Sequence, residues 1–260
     1  MNPVVRILKQ LVVASFFILI IGGIGYFAYS RFQPPLVLPT PTPSFLPIET
    51  ISVNLLNVSG SDYDVVARVR NPNTRFGSPR VAYEFVFYDI TNTEIFRKPG
   101  IFYILPGQTK YIVASPVFLP SKASLAEIKI NNVMWQELDQ ISEGGINLVA
   151  TPPNYTIFKL PALYSRLSSF VVNNSDFDLG KADVAIVLYD KQNEPIALNK
   201  TEITTLTSRE RRGFEVSWFK PFEGTPERFD IEVYTNVFSN ANFIKTFGKT
   251  ERFQQFIDEP

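Results

Sequence analysis

The stretch FVFYDITN at Phe85–Asn92 returns 101 residues later as IVLYDKQN at Ile186–Asn193. A shift of 101 positions aligns further residues without a gap: Asn73 with Asn174, Phe76 with Phe177, Arg80 with Lys181, Leu105 with Leu206, Phe118 with Phe219 and Pro120 with Pro221. The preceding strands match with a slip of one, which pairs Val65, Ala67, Val69 and Asn71 with Leu167, Ser169, Val171 and Asn173. The sequence therefore predicts two copies of one domain.

Each copy has the two-residue period of a β-strand. In the first copy Val81, Tyr83, Phe85 and Phe87 share one face, and in the second Ala182, Val184, Ile186 and Leu188 share the corresponding face. Such alternation predicts a strand with one buried face. About seven short strands per copy, with turns every 8–12 residues, are typical of a sandwich. We therefore predict an all-β fold: two tandem Ig-like (fibronectin-III-like) antiparallel β-sandwiches after one N-terminal transmembrane helix.

The other predicted strands are Thr50–Asn57, Tyr63–Arg70, Gly100–Ile104, Lys110–Val117 and Glu127–Val133 in the first copy, and Leu167–Val172, Thr201–Thr205, Gly213–Phe219 and Arg228–Tyr234 in the second.

The shared Tyr-Asp-x-x-Asn motif reads as a hairpin corner. Asp favours the first position of a type I turn, where its carboxylate accepts local backbone N–H groups. Asn tolerates the left-handed conformation that closes such a turn. We therefore interpret Asp89 with Asn92, and Asp190 with Asn193, as turn residues with no catalytic role.

FVFYD and IVLYD also resemble the motif of the bacterial FxLYD domain, an Ig-like sandwich, and VRNPN at Val69–Asn73 resembles the Asn-Pro-Asn signature of WHy domains of late-embryogenesis (type 2) proteins. The resemblance covers roughly residues 63–135 and 164–238. It departs from the motif at Phe87 and Ile186, and the second copy has VNNS in place of Asn-Pro-Asn. The resemblance implies a non-enzymatic envelope or stress-related module and carries over no catalytic residues.

Leu11–Tyr29 is a run of 19 residues without a charge, about the thickness of a bilayer core as a helix. Arg6 and Lys9 precede it, so the positive-inside rule places residues 1–10 in the cytoplasm and the remainder outside. A signal peptide cleaved after Ala28–Ser30 is the alternative, although the run exceeds the usual apolar length. We expect an uncleaved, single-pass anchor over residues 11–30 in the cell membrane.

Pro34–Pro47 contains six prolines in fourteen residues, which excludes a helix or a central strand. We predict an extended spacer within residues 31–48, and a docking motif for a proline-reading domain is the alternative.

The sandwiches are then expected at 49–145 and 146–260. Ser142–Gly145 and Thr151–Asn154 bracket the join between them, with INLVA between as a linking or shared strand. So short a join suggests sandwiches set end to end. The tail KTERFQQFIDEP reads either as an edge strand or as a short amphipathic piece.

Composition excludes much chemistry. The chain has no Cys and no His, so disulfides, thiolate or imidazole zinc sites, Cys nucleophiles and His-based acid–base schemes are ruled out. Lys and Arg number 25, as do Asp and Glu, so no global field points to nucleic acid. The absence of cystines favours a bacterial envelope protein.

A search for sites yields only weak candidates. Asp176 and Asp178 flank Phe177, which suggests either weak calcium binding or a solvated loop. RERR at Arg209–Arg212 suggests either a phosphate contact or a solvated face. Leu105–Thr109, LPGQT, reads as a type II turn. We commit to no catalytic, cofactor-binding or metal residue and to no cofactor.

The expected function is a non-enzymatic, membrane-anchored structural or protein-binding module, with recognition at an exposed strand edge or in the groove between domains. The expected partners are the membrane, through residues 11–29, and a protein of the envelope, with no nucleic acid. The alternative is an accessory subunit of a secretion, pilus or cell-wall machine.

Overall fold

The computed structural model describes residues 3–32, 44–138, 145–241, 243 and 255–257. The chain divides into two units, Met1–Ser44 and Phe45–Pro260. The first unit contains a single helix, α1 (Pro3–Phe32), whose segment Ile7–Phe32 is long and apolar enough to cross a membrane. Its length and composition suit both a membrane span and a signal sequence. The predicted spacer lies outside the described residues over 33–43.

Among its described residues the second unit is β structure apart from loops, one short 3-10 turn at Val237–Ser239 and helical residues at Ala241 and Phe243. The strands are β1 (Glu49–Ser59), β2 (Asp62–Arg70), β3 (Phe76–Tyr88), β4 (Glu94–Ile104), β5 (Thr109–Phe118), β6 (Leu125–Glu137), β7 (Leu148–Ala150), β8 (Asn154–Leu160), β9 (Leu163–Asn173), β10 (Leu179–Tyr189), β11 (Pro195–Leu206), β12 (Arg211–Trp218), β13 (Arg228–Tyr234) and β14 (Gln255–Ile257). All pairings between them are antiparallel. The predicted all-β class is confirmed.

Four sheets form two sandwiches. The first sandwich has sheets of order β1-β2-β5 and β14-β6-β3-β4, and the second has sheets of order β12-β9-β7, with β8 also on β9, and β11-β10-β13. Strands β2 to β6 correspond in order and pairing to β9 to β13. The two sets of five strands therefore share one order of pairing.

Each sandwich closes over its own apolar core, built from the faces that the alternation predicted. In the first sandwich Phe85, Phe87 and Trp135 are at most 2 % exposed, and in the second Ile186 and Leu188 are fully buried. Full burial of one such side chain stabilises a fold by roughly 1.5–3 kcal/mol. These faces hold each pair of sheets together.

The sandwiches do not lie end to end, so that expectation is wrong. Val66 and Val113, on the outer face of the sheet β1-β2-β5, pack against Ala185, Val187 and Leu198 on the outer face of the sheet β11-β10-β13. The sandwiches therefore lie side by side, with sheet against sheet. A short join does not enforce an end-to-end arrangement, because an apolar outer face on each domain decides how the two pack.

Two further differences concern strands that the sequence analysis missed or left open. β8 was not predicted, since its side chains are largely exposed and show no buried face. The segment INLVA does contain a strand, β7, and the C-terminal tail contains β14. β14 pairs with β6 of the first sandwich, so the tail returns from the second domain to the first.

Candidate functional site: the cleft between the sandwiches

The contact between the sandwiches, here called the joint, is centred on Val66, Val113, Ala185, Val187 and Leu198. It uses different faces of the two copies. The outer face of β10 carries Ala185 and Val187, which are 7 % and 0 % exposed. The corresponding outer face of β3 in the first copy has Glu84 where β10 has Ala185, and Glu84 pairs with Arg97 at 2.9 Å. A charged outer face pays a desolvation penalty on docking. The second copy therefore docks through this face, while in the first copy the Glu84 side chain stays 27 % exposed and paired with Arg97.

Tyr111 of β5 is the most connected residue of the joint. Its backbone N–H donates to the Glu232 carboxylate at 3.0 Å and to the Tyr234 hydroxyl at 3.2 Å. Its hydroxyl donates to Asp230 at 3.0 Å and lies 2.8 Å from the Tyr189 hydroxyl. These contacts all reach the second sandwich, so Tyr111 fixes the register of one domain on the other.

Lys110 is a buried charge beside this network, only 4 % exposed. Its ammonium lies 3.8 Å from the ring centre of Tyr103 and 4.5 Å from that of Tyr234, and it donates to the Tyr103 carbonyl at 3.0 Å. Burial lowers the pKa of Lys110 to about 8, against the attraction of the Asp183 and Glu232 carboxylates. The two ring faces compensate part of the lost hydration.

Two carboxyl groups at the joint are also difficult to ionise. Burial raises the pKa of Glu232 to about 7, although the Tyr111 N–H and Arg68 favour the charged form. Burial likewise raises the pKa of Asp64 to about 6, and nearby Asp62 acts in the same direction. Desolvation is the largest cause in both cases, as expected where two surfaces exclude water.

A cleft of about 960 Å³ opens beside this joint. Its walls come from β4 and β5 of the first sandwich, from β10 and β11 of the second, and from the segment after β13. The residues that line it include Ile101, Tyr103, Lys110, Lys181, Lys200 and Glu202. Its volume is within the range of pockets that hold small ligands, and its walls combine aromatic rings with charged groups.

Side chains of the second sandwich cap the exposed edge of β5 along this cleft. The N–H of Tyr111 is taken by Glu232 and Tyr234, and the carbonyl of Val113 accepts from the Lys200 ammonium at 3.4 Å. Such caps protect an edge strand from pairing with other chains. The edge of β5 is therefore closed.

β4 lies on the same side of the first sandwich and is the last strand of its sheet. One of its edges is therefore not covered by another strand of that sheet. Pro99 of β4 lies opposite Glu84 of β3. A proline within a sheet directs its nitrogen away from the partner strand. Because this direction alternates along a strand, Ile101 and Tyr103 direct their N–H and C=O groups away from β3 as well. The Tyr103 carbonyl that accepts from Lys110 agrees with this geometry.

The Tyr-Asp-x-x-Asn motifs are turns, as predicted. Asn92 and Asn193 have φ of 62° and 65°. The Asp89 carboxylate accepts the Thr91 and Thr93 N–H groups at 2.8 and 2.9 Å, and Asp190 accepts those of Gln192 and Glu194, both at 2.9 Å. In the predicted type II turn, Gly107 has φ of 66°.

The Asn-Pro-Asn signature is structural as well. Asn71 is fully buried, and its amide donates to the carbonyls of Phe76 and Leu105 at 2.7 and 2.9 Å. Asn73 both donates to and accepts from the backbone of Leu46, at 2.7 and 2.9 Å. It thereby holds the chain where it enters the first sandwich. Asn173, also fully buried, repeats the first role and donates to the carbonyl of Phe177 at 2.8 Å.

The weak candidates from the sequence are surface features. Asp176 pairs with Arg209 at 2.7 Å, and Asp178 accepts the Ser208 N–H at 2.8 Å. Arg212 of the RERR run pairs with Glu210 at 2.6 Å. Within the described ranges no three His, Cys, Asp or Glu side chains form a metal-binding group. Of these candidates, Asp178 lines the cleft together with Lys110 and Tyr111.

The sequence suggested a groove between the domains but identified none of the residues that line it, because those residues lie up to 158 positions apart in the chain. One signal was present. The outer face of β10 is apolar at Ala185 and Val187, whereas that of β3 has Glu84 in the first of these places. A second apolar face on a sandwich strand indicates burial against another domain.

No protein-family model matches the chain, and no curated protein matches it. Among solved structures, the crystal structure of red sea bream transglutaminase is similar to it at 13% sequence identity, over 72% of this chain and 29% of that one. The chain thus spans less than a third of that enzyme's length. The TM-score is 0.24, and a likeness this distant carries no argument about fold or activity.

Proposed function

We propose that this chain is a non-enzymatic, membrane-anchored module that binds a protein partner outside the cytoplasm. The observation that carries the proposal is the cleft of about 960 Å³, which the docking of the two sandwiches creates beside an unpaired strand edge. Both docked faces are ordered by apolar packing and by the contacts of Tyr111. A site built this way is pre-organised, and pre-organisation lowers the entropy cost of binding.

The anchor and its orientation are part of the same proposal. They rest on the helix α1, on the basic residues Arg6 and Lys9 before it, and on the proline-rich segment after it. Since the chain has no cysteine, single cysteines at Asn2 and Ser59 give a clean topology test. A membrane-impermeant maleimide added to intact cells should label Ser59→Cys and spare Asn2→Cys. Labelling of both, or of Asn2→Cys alone, contradicts the orientation.

Binding is tested by capture from native membranes in mild detergent, using a C-terminal tag and intact-mass analysis of the captured chain. We expect a full-length chain with defined, stoichiometric protein partners. A chain shortened by about 30 residues would mean a cleaved signal sequence and would remove the anchor from the proposal. A full-length chain found alone would overturn the binding role. Partners that belong to one envelope machine would identify the chain as its accessory subunit.

A further inference from the structure

The open edge of β4 faces the cleft over a short segment. β4 ends its sheet, and its first half carries Lys98 and Pro99, two residues that protect edges from strand addition. The second half, from Gly100 to Ile104, has no such residue. Within it Ile101 is 56 % exposed and lines the cleft.

The backbone groups in this half are the ones a partner strand needs. Ile101 has the same parity as Pro99 along β4, with no register shift between Phe96 and Phe102. Tyr103 lies at the next shift, between Phe102 and Ile104, and its direction is given by its carbonyl, which accepts from Lys110. Their N–H groups therefore point away from β3, into the cleft. Lys110 caps the Tyr103 carbonyl. Among the described residues, none bonds to the N–H or C=O of Ile101 or to the N–H of Tyr103, and these groups are the ones open to pairing.

From this geometry we infer that an extended segment of the protein partner adds as a strand to β4, paired at Ile101 and Tyr103. The inference rests on the proposed binding function and names the mode of that binding. The neighbouring β5 is a poorer docking edge, because Glu232 and Tyr234 already occupy its Tyr111 N–H and Lys200 occupies its Val113 carbonyl.

The walls of the cleft determine the chemistry of the added strand. One side of the added strand would lie beside Phe102 and Tyr83, at the edge of the apolar core of the first sandwich. The other side faces Lys181, Lys200 and Glu202 of the second sandwich. Side chains alternate between the two sides of a strand. The partner segment is therefore extended and alternates apolar with polar or charged residues.

The test compares two substitutions at one position. Ile101→Pro removes the outward N–H, and the edge tolerates it because Pro99 sits in the same orientation two residues earlier. Ile101→Thr keeps the N–H and removes the apolar side chain. Each tagged full-length variant is used for capture from native membranes, and each is checked for a folded state by its melting temperature.

We expect Ile101→Pro to lose at least 90 % of the partner captured by the unsubstituted chain, and Ile101→Thr to keep most of it. Hydrogen exchange of the purified complex should show slowed exchange at the amides of Ile101 and Tyr103. Equal capture by both variants, or unchanged exchange, overturns strand addition and leaves the binding function standing. No partner for the unsubstituted chain overturns the binding function itself.

Discussion

The hydroxyl oxygen of Tyr111 in the first sandwich lies 2.8 Å from that of Tyr189 in the second. Tyr111 has one proton, which it donates to the Asp230 carboxylate at 3.0 Å, so Tyr189 donates to Tyr111. The two residues therefore play unequal roles, although they face each other. Removal of each hydroxyl measures a different quantity.

Tyr111→Phe should destabilise the docked sandwiches more than Tyr189→Phe. The first change deprives both Asp230 and Tyr189 of a partner, which typically costs about 1–3 kcal/mol. The second removes only a donor to Tyr111 and should cost about 0.5–1.5 kcal/mol. Urea unfolding measures both free energies. Equal losses would contradict the donor assignment.

The stability of the joint should rise as the pH falls from 7.5 to 5.5. Burial raises the pKa of Glu232 to about 7 from its ordinary 4.5. The folded state therefore binds this proton more tightly than the unfolded state. The resulting stability is fully present below about pH 4.5 and is lost as the pH rises through 7. Asp64, whose pKa is raised to about 6, acts in the same direction.

Glu232→Gln tests that linkage. It keeps an oxygen to accept from the Tyr111 N–H and removes the ionisation. Urea midpoints at pH 5.5 and 7.5 should therefore differ less in this variant than in the unsubstituted chain. The remainder is due to Asp64, less a small opposite contribution near pH 7.5 from Lys110, whose pKa is lowered to about 8. Glu127→Gln, at an exposed position, is the control. An unchanged difference in Glu232→Gln would assign the pH dependence to other groups.

Much of the fold was predictable from local pattern. The alternation of buried and less buried side chains at Val81–Phe87 and the turn residues Asp89 and Asn92 are signals of local structure. The structure confirms both the strand and the turn. The docking of the sandwiches was not predicted, because it depends on Val66 and Val113 meeting Ala185 across more than seventy residues. Lys110 gave no sequence signal either, since a lysine at the start of a strand is usually solvated.

Asn92→Val should cost about 1–2 kcal/mol, because Asn92 has φ of 62° and a β-branched side chain is strained there. Asn92→Gly should be neutral or mildly stabilising, since Gly adopts this conformation freely. Thermal melting of the three proteins provides the comparison. A melting temperature of Asn92→Val equal to that of the unsubstituted chain would contradict the turn's dependence on Asn92.

Asn71→Asp should be among the most destabilising single changes in the first sandwich. The fully buried Asn71 amide donates to the carbonyls of Phe76 and Leu105. A carboxylate at this position has no N–H to donate to the two carbonyl oxygens and would repel them. Buried polar groups that lose their hydrogen-bond partner in this way cost several kcal/mol of stability. Asn132→Asp, at an exposed position on β6, is the matched control. Similar urea midpoints for the two variants would contradict this role.

Ala185→Glu should separate the two sandwiches without unfolding either. Ala185 is buried against the first sandwich, and the corresponding residue of the first copy is Glu84, which the same kind of strand carries on a solvent-facing side. The glutamate is therefore compatible with the sandwich and incompatible with the joint, where removing a carboxylate from water costs several kcal/mol, although Lys200 lies opposite it on the neighbouring strand. In the unsubstituted chain the shared apolar faces should make the sandwiches unfold together. In Ala185→Glu calorimetry should resolve two transitions, and the elevated pKa of Glu232 should fall as water enters. Glu84→Ala is the control, and it should leave a single transition. A single transition in Ala185→Glu, near the original temperature, would mean that the joint does not couple the domains.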